Sequence, residues 1–162
     1  MRAASLCLLF AACASVDQLG SSPGFEDFVG DWSGSLQRPD GEAIAMSLQV
    51  EPVAGDANRF HWRLRYGGEE VRDHTLVVRD RSRGVAAFDE NNGIVLPVQL
   101  RDAELISVFE VGGSVLNVRY RRERDGLRVC VDSYSEGASE PSGQQVRAWP
   151  KIAVQRGWLT AR

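Results

Sequence analysis

The chain has 162 residues and a mass of 17.8 kDa, with 43% apolar and 25% charged residues, the composition of one ordinary domain able to bury a sizeable core. Its net charge of −3 offers no broad basic field for a phosphate backbone, which argues against nucleic acid as a partner. No apolar run reaches the roughly 18 residues that a membrane-spanning helix needs.

The N-terminus carries Met1-Arg2, a short apolar stretch through Ala12, and then Cys13. This is the layout of a secretory signal. Phe10-Ala11-Ala12-Cys13 resembles the bacterial lipobox, although Phe10 stands where that motif usually has Leu. The resemblance implies a signal peptide over residues 1–12, lipid attachment at Cys13, and a lipoprotein held on the membrane of a bacterial cell envelope. Ala14 after the cysteine implies, by the same resemblance, sorting to the outer membrane. Ala12-Cys13-Ala14 also fits an ordinary A-x-A cleavage site, which would release a soluble periplasmic or secreted protein from Ser15. An uncleaved apolar tail is the remaining reading. Residues 13–24, rich in Ser and Gly, read as a flexible tether to a single domain over 25–162.

Beyond Gly30 the pattern is strand, turn, strand. Residues 32–36 alternate up to the Pro39-Asp40-Gly41 turn. Ile44, Met46, Leu48 and Val50 then share one face, as do Phe60, Trp62, Leu64 and Tyr66, each opposed by polar residues. Further strands are expected near 74–78, 85–88, 94–100, 104–111, 115–121 and 127–134. Asn91-Asn92-Gly93, Arg101-Asp102, Gly112-Gly113 and Asp125-Gly126 supply tight hairpin turns. A last segment, 144–160, contains Pro150 and reads as one bent strand or two. Without any helical crossover, this predicts an all-β, antiparallel up-and-down barrel of about 8–10 strands, because closure removes exposed edges. A two-sheet sandwich is the competing fold.

Gly30-x-Trp32 at the head of this ladder resembles the start of lipocalins and related calycins. There the tryptophan closes the barrel base beneath an arginine from the final strand. The resemblance implies that Arg156, in Val154-Gln155-Arg156-Gly157-Trp158, stacks on Trp32. The strand number leans toward the fatty-acid-binding-protein and nitrobindin branch. Nitrobindin-like haem proteins continue with a Gly-Tyr-Pro pattern that is missing from Gly34-Ser35-Leu36, so no haem or other cofactor is expected.

The alternating faces nominate Trp62, Tyr66, Leu96, Leu105 and Phe109 as cavity walls, with His74 as a polar anchor on the face of Leu76 and Val78. His61 lies on a wet face. Arg119, Arg121 and Arg122 are expected as a cationic rim at the barrel mouth, suited to ligand carboxylates. Gly34, Ala45, Ser47, Ala103 and Ser107 are small enough to leave interior space. Cys130, alone in the folded part, reads as a structural thiol. No metal site is expected: Asp89-Glu90-Asn91-Asn92-Gly93 lacks the closing acid of a calcium loop, and no nucleophile–base set suggests an enzyme. The expected function is binding of a small hydrophobic or amphipathic ligand. The alternative is a non-catalytic envelope interaction protein with a packed barrel.

Overall fold

The computed structural model describes residues 24–162 other than 136, 138, 139, 143 and 146. The expected signal peptide, Cys13 and the tether through residue 23 lie outside the described residues. A short 3₁₀ turn, Phe25–Phe28, precedes β1 (Gly30–Gln37), β2 (Ala43–Val53), β3 (Asp56–Tyr66), β4 (Arg72–Asp80) and β5 (Val85–Asp89). There follow β6 (Val95–Arg101), β7 (Glu104–Val111), β8 (Ser114–Glu123) and β9 (Gly126–Ser135). Two-residue pieces β10 (Glu140–Pro141) and β11 (Arg147–Ala148) pair with each other, and β12 (Lys151–Ala161) ends the chain. The expected terminal segment is therefore split, and only its second part belongs to the main sheet.

Strands β1 to β9 and β12 form one closed antiparallel barrel of ten strands, each bonded to its neighbour in sequence, with β1 and β12 completing the ring. Closure excludes the sandwich. The seam registers Trp32 with Ala161 and Gln37 with Arg156. Gly34 serves that seam rather than interior space: a Cβ there would lie 2.0 Å from the Trp158 carbonyl oxygen.

The apolar faces read from the sequence point inward. Met46, Leu48, Val50, Phe60, Trp62 and Leu64 are all buried in one core. Because consecutive strands alternate in direction, the turns fall at two ends. The turns after β2, β4, β6 and β8 share one end with the chain's entry into β1, and there the 3₁₀ turn inserts Phe25 and Phe28, both buried. Its position is held by Trp32 Nε1, which donates to the Phe28 carbonyl at 2.9 Å, and by the Arg81–Glu26 ion pair at 2.6 Å. This end is plugged. The turns after β1, β3, β5, β7 and β9 surround the opposite, open end.

The guanidinium over Trp32 belongs to Arg122, 4.9 Å from the ring centroid, and not to Arg156. Arg156 is exposed and sits beside Gln37, five residues along β12 from the partner of Trp32, or roughly 17 Å at strand rise. Arg122 arrives from the last turn of β8, at the plugged end. It also donates to the carbonyls of Asp27 (3.1 Å), Gly126 (3.0 Å) and Glu123, tying the plug to the β8–β9 turn.

Candidate functional site

Above the plug the barrel holds a cavity of about 470 Å³ that opens at the mouth. Its floor is aromatic: Trp62 lies 4.9 Å from Phe88 and 5.1 Å from Tyr120 between ring centroids, and 6.3 Å from Phe28 of the plug. Tilted and edge-on rings at these distances match the aromatic quadrupole and make a rigid base. Higher up, Leu64, Leu96, Phe109, Leu116, Val118 and Val131 form apolar walls. The alternation of each strand explains this: Leu116, Val118 and Tyr120 share one face of β8, as Ser107 and Phe109 share one face of β7.

Polar groups are few. Tyr66 and Tyr120 interact through their hydroxyls; burial raises both phenol pKa values, well above the ordinary value for Tyr120, so both stay protonated donors. His74 opens onto the cavity near the mouth. Burial lowers its pKa, with Arg72 acting the same way and Glu90 and Asp73 opposing, so the imidazole favours its neutral form. Ser107 Oγ donates to the Pro97 carbonyl at 2.8 Å.

The mouth is charged. Arg72 pairs with Glu69 at 3.1 Å and lies over the Tyr66 ring at 5.3 Å, while Arg38 pairs with Glu42 at 3.3 Å and Asp40 at 3.7 Å. Such exposed pairs are worth about 0–1 kcal/mol, so a ligand anion can compete for either guanidinium at little cost.

The fold thus gathers Trp62, Tyr66, His74, Leu96 and Phe109 around one cavity. Leu105 instead lies in the packed region below it, fully enclosed. Arg119 points outward, because its neighbours Val118 and Tyr120 face inward. It pairs with Asp132 at 2.8 Å, and Asp132 also binds Lys151 at 3.0 Å. Arg121 and Arg122 gather at the plugged end, so the expected cationic rim is absent from the mouth, and Arg38 and Arg72 stand there in its place. Of the small residues expected to leave space, Ser107 lines the cavity. Phe88 and Tyr120 were missed as floor residues, although both follow from the alternation of their own strands.

The likeness to solved structures agrees with this architecture. A variant of the fluorescent protein UnaG superposes with a TM-score of 0.50 at 15% identity, over 82% of this chain and 95% of that one. The fold is a closed ten-strand antiparallel barrel of the kind this neighbour has. A second UnaG variant matches with a TM-score of 0.48, also at 15% identity, over 85% of this chain and 98% of its own. No family's sequence profile matches the chain, and no curated protein does.

Proposed function

We propose that this calycin-type barrel binds a small hydrophobic or amphipathic ligand, and that the chain is a lipid-anchored bacterial envelope protein tethered through Cys13. The observation that carries the binding reading is the open cavity of about 470 Å³, inside the roughly 300–1,000 Å³ of small-molecule sites, with an aromatic floor and an arginine-bearing mouth. A ligand fits with its apolar body on Trp62, Phe88 and Tyr120 and an anionic or polar end toward Arg38 and Arg72. His74 and Tyr66, both neutral near pH 7, are placed to bond the part between. The role is binding without catalysis. The open upper half disfavours a barrel packed solid for a purely structural task.

Titration of a fatty acid, a retinoid and haem against the purified protein, followed through tryptophan emission, tests the reading. Saturable binding at micromolar concentration is expected for at least one, and Leu116→Trp, which fills the cavity, should abolish it. Binding by none, with no cavity detected by an apolar dye, refutes it. The anchor is tested separately with an alkyne fatty acid, which should label the wild type and not Cys13→Ser; equal labelling refutes the lipoprotein proposal.

A further inference from the structure

The seam between β6 and β7 is incomplete. Its ladder runs only through Gln99–Ile106, Leu100–Leu105 and Arg101–Glu104, next to the plugged end. Toward the mouth, β6 continues to pair with β5, and β7 with β8, but not with each other. Pro97 supplies the cause. Its carbonyl faces β7, where it accepts the Ser107 hydroxyl, and it has no N–H to offer that side. Continuing the register by two residues sets Pro97 opposite Val108, so the ladder stops where the proline enters. A side-chain bond then stands in for backbone bonds.

Two further observations lie at this same place. Leu96, Ser107 and Phe109, from the two unpaired strand halves, line the cavity on its inner side. On the outer face Val95 and Val108 are 48% and 52% exposed, and Ile94 and Val111, which have the parity of Leu96 and Phe109, are 48% and 56% exposed where the two strands reach the mouth, together four of the nine large apolar residues on the exposed surface among the described residues. Side chains of this kind are ordinarily scattered singly over a surface. Here they flank a stretch of cavity wall where two neighbouring strands run on without a backbone ladder between them.

We infer that the β6–β7 seam is a lateral portal, through which the cavity's apolar ligand enters and leaves by parting residues 94–98 from 107–111. The inference rests on the binding reading above and adds its route. Val95 and Val108 receive the apolar body of the ligand outside, with Ile94 and Val111 above them at the rim. Separating the strands breaks the Ser107–Pro97 bond instead of a row of ladder bonds, and Leu96 and Phe109 pass the ligand to the aromatic floor. Entry through the mouth would instead oblige the apolar body to pass the paired charges of Arg38 and Arg72.

A disulfide across the seam tests the route. Pro97→Cys with Val108→Cys, in a chain whose own Cys7, Cys13 and Cys130 are serine, extends the register of the adjoining ladder by two residues, and a disulfide there holds the two strands at about the 5.5 Å Cα separation of a bonded antiparallel pair. The probe is 8-anilinonaphthalene-1-sulfonate in stopped-flow fluorescence. Oxidation should slow both association and dissociation at least ten-fold with the affinity unchanged, and a reductant should restore both. Pro97→Val, which returns the missing donor, should slow both rates without any disulfide. Independently of ligand, the Val108 amide should exchange with deuterium faster than the Val118 and Val131 amides, whose strands are paired on both sides at those positions. Unchanged rates in both the oxidised and the Pro97→Val proteins, with affinity intact, overturn the portal and leave the binding reading standing. Failure of the reduced protein to bind the dye overturns the binding reading itself.

Discussion

Arg122 offers the sharpest test of how the barrel is closed. Its guanidinium covers the Trp32 ring and donates to carbonyls of the plug and of the β8–β9 turn, so Arg122→Ala severs three segments at one point. The cation–π contact contributes about 0.5–1 kcal/mol. Charged donors to carbonyls contribute about 1.5–3 kcal/mol each when dry, and less here because the site is only half-buried. Allowing for non-additivity within one side chain, the expected loss is about 3 kcal/mol. For a domain of this size, that lowers Tm by roughly 6–12 °C. Arg122→Lys should recover little, because an ammonium neither stacks nor forks. Arg156→Ala, at an exposed position, should stay within about 0.5 kcal/mol. Chemical denaturation of the three variants beside wild type measures all of this. A loss under about 1 kcal/mol for Arg122→Ala, or an equal loss for Arg156→Ala, refutes the assignment of Arg122 as the residue that locks Trp32 and the plug.

Gly34→Ala should cost roughly 3 kcal/mol, since the new methyl meets the β12 backbone, which can move aside only by loosening the closing seam; a midpoint of denaturation equal to wild type contradicts this. Asp132 is buried, which works to raise its pKa, but its bonds to Lys151 and Arg119 prevail and hold the carboxyl below its ordinary range. A depressed acid stabilises the fold above its unfolded pKa of about 3.9 and loses that contribution as pH falls through the folded value. Asp132→Asn should therefore destabilise by about 1–2 kcal/mol at pH 7 and progressively less toward pH 2, as followed by urea denaturation at each pH. His74 has the opposite chemistry with a similar outcome: burial depresses a base, so stability is full above its ordinary pKa of about 6.5 and declines as pH drops below it. His74→Gln should remove that decline, and an imidazole NMR titration midpoint at or above 6.5 in wild type would contradict the assignment.

Much of the barrel was legible in the sequence because strand alternation and hairpin turns are local. A side chain's face depends on its parity within a strand, so Ile44 to Val50 and Phe60 to Tyr66 each declared a shared apolar face without reference to anything distant, and closure of the barrel turned those faces inward. The same parity placed Trp62, Tyr66, His74, Leu96 and Phe109 on the interior, and the cavity drew them together. Applied to β8, it would also have shown Tyr120 inside and Arg119 outside. There the run Arg119-Tyr120-Arg121-Arg122 drew attention to its charge rather than its alternation. Counting strands would likewise have put the β8–β9 turn at the plugged end, since an up-and-down barrel returns to its starting end after every second strand.

Other features were decided by tertiary structure alone. Which arginine meets Trp32 depends on how ten strands stagger around the closed ring, and stagger is a sum of every hairpin register. Arg156 has the right neighbourhood in sequence and the wrong height in the barrel. Gly34 serves close approach of β12, a strand more than a hundred residues away, and no local pattern separates that from spare interior volume. Whether the interior is filled depends on volumes contributed by all the strands and by Phe25 and Phe28, whose insertion packs one half solid and leaves the other open. Pro97 could be seen as a missing donor in its strand. Only the pairing of β6 with both its neighbours decides which seam lacks the bond, because a strand residue directs its backbone groups to one side alone.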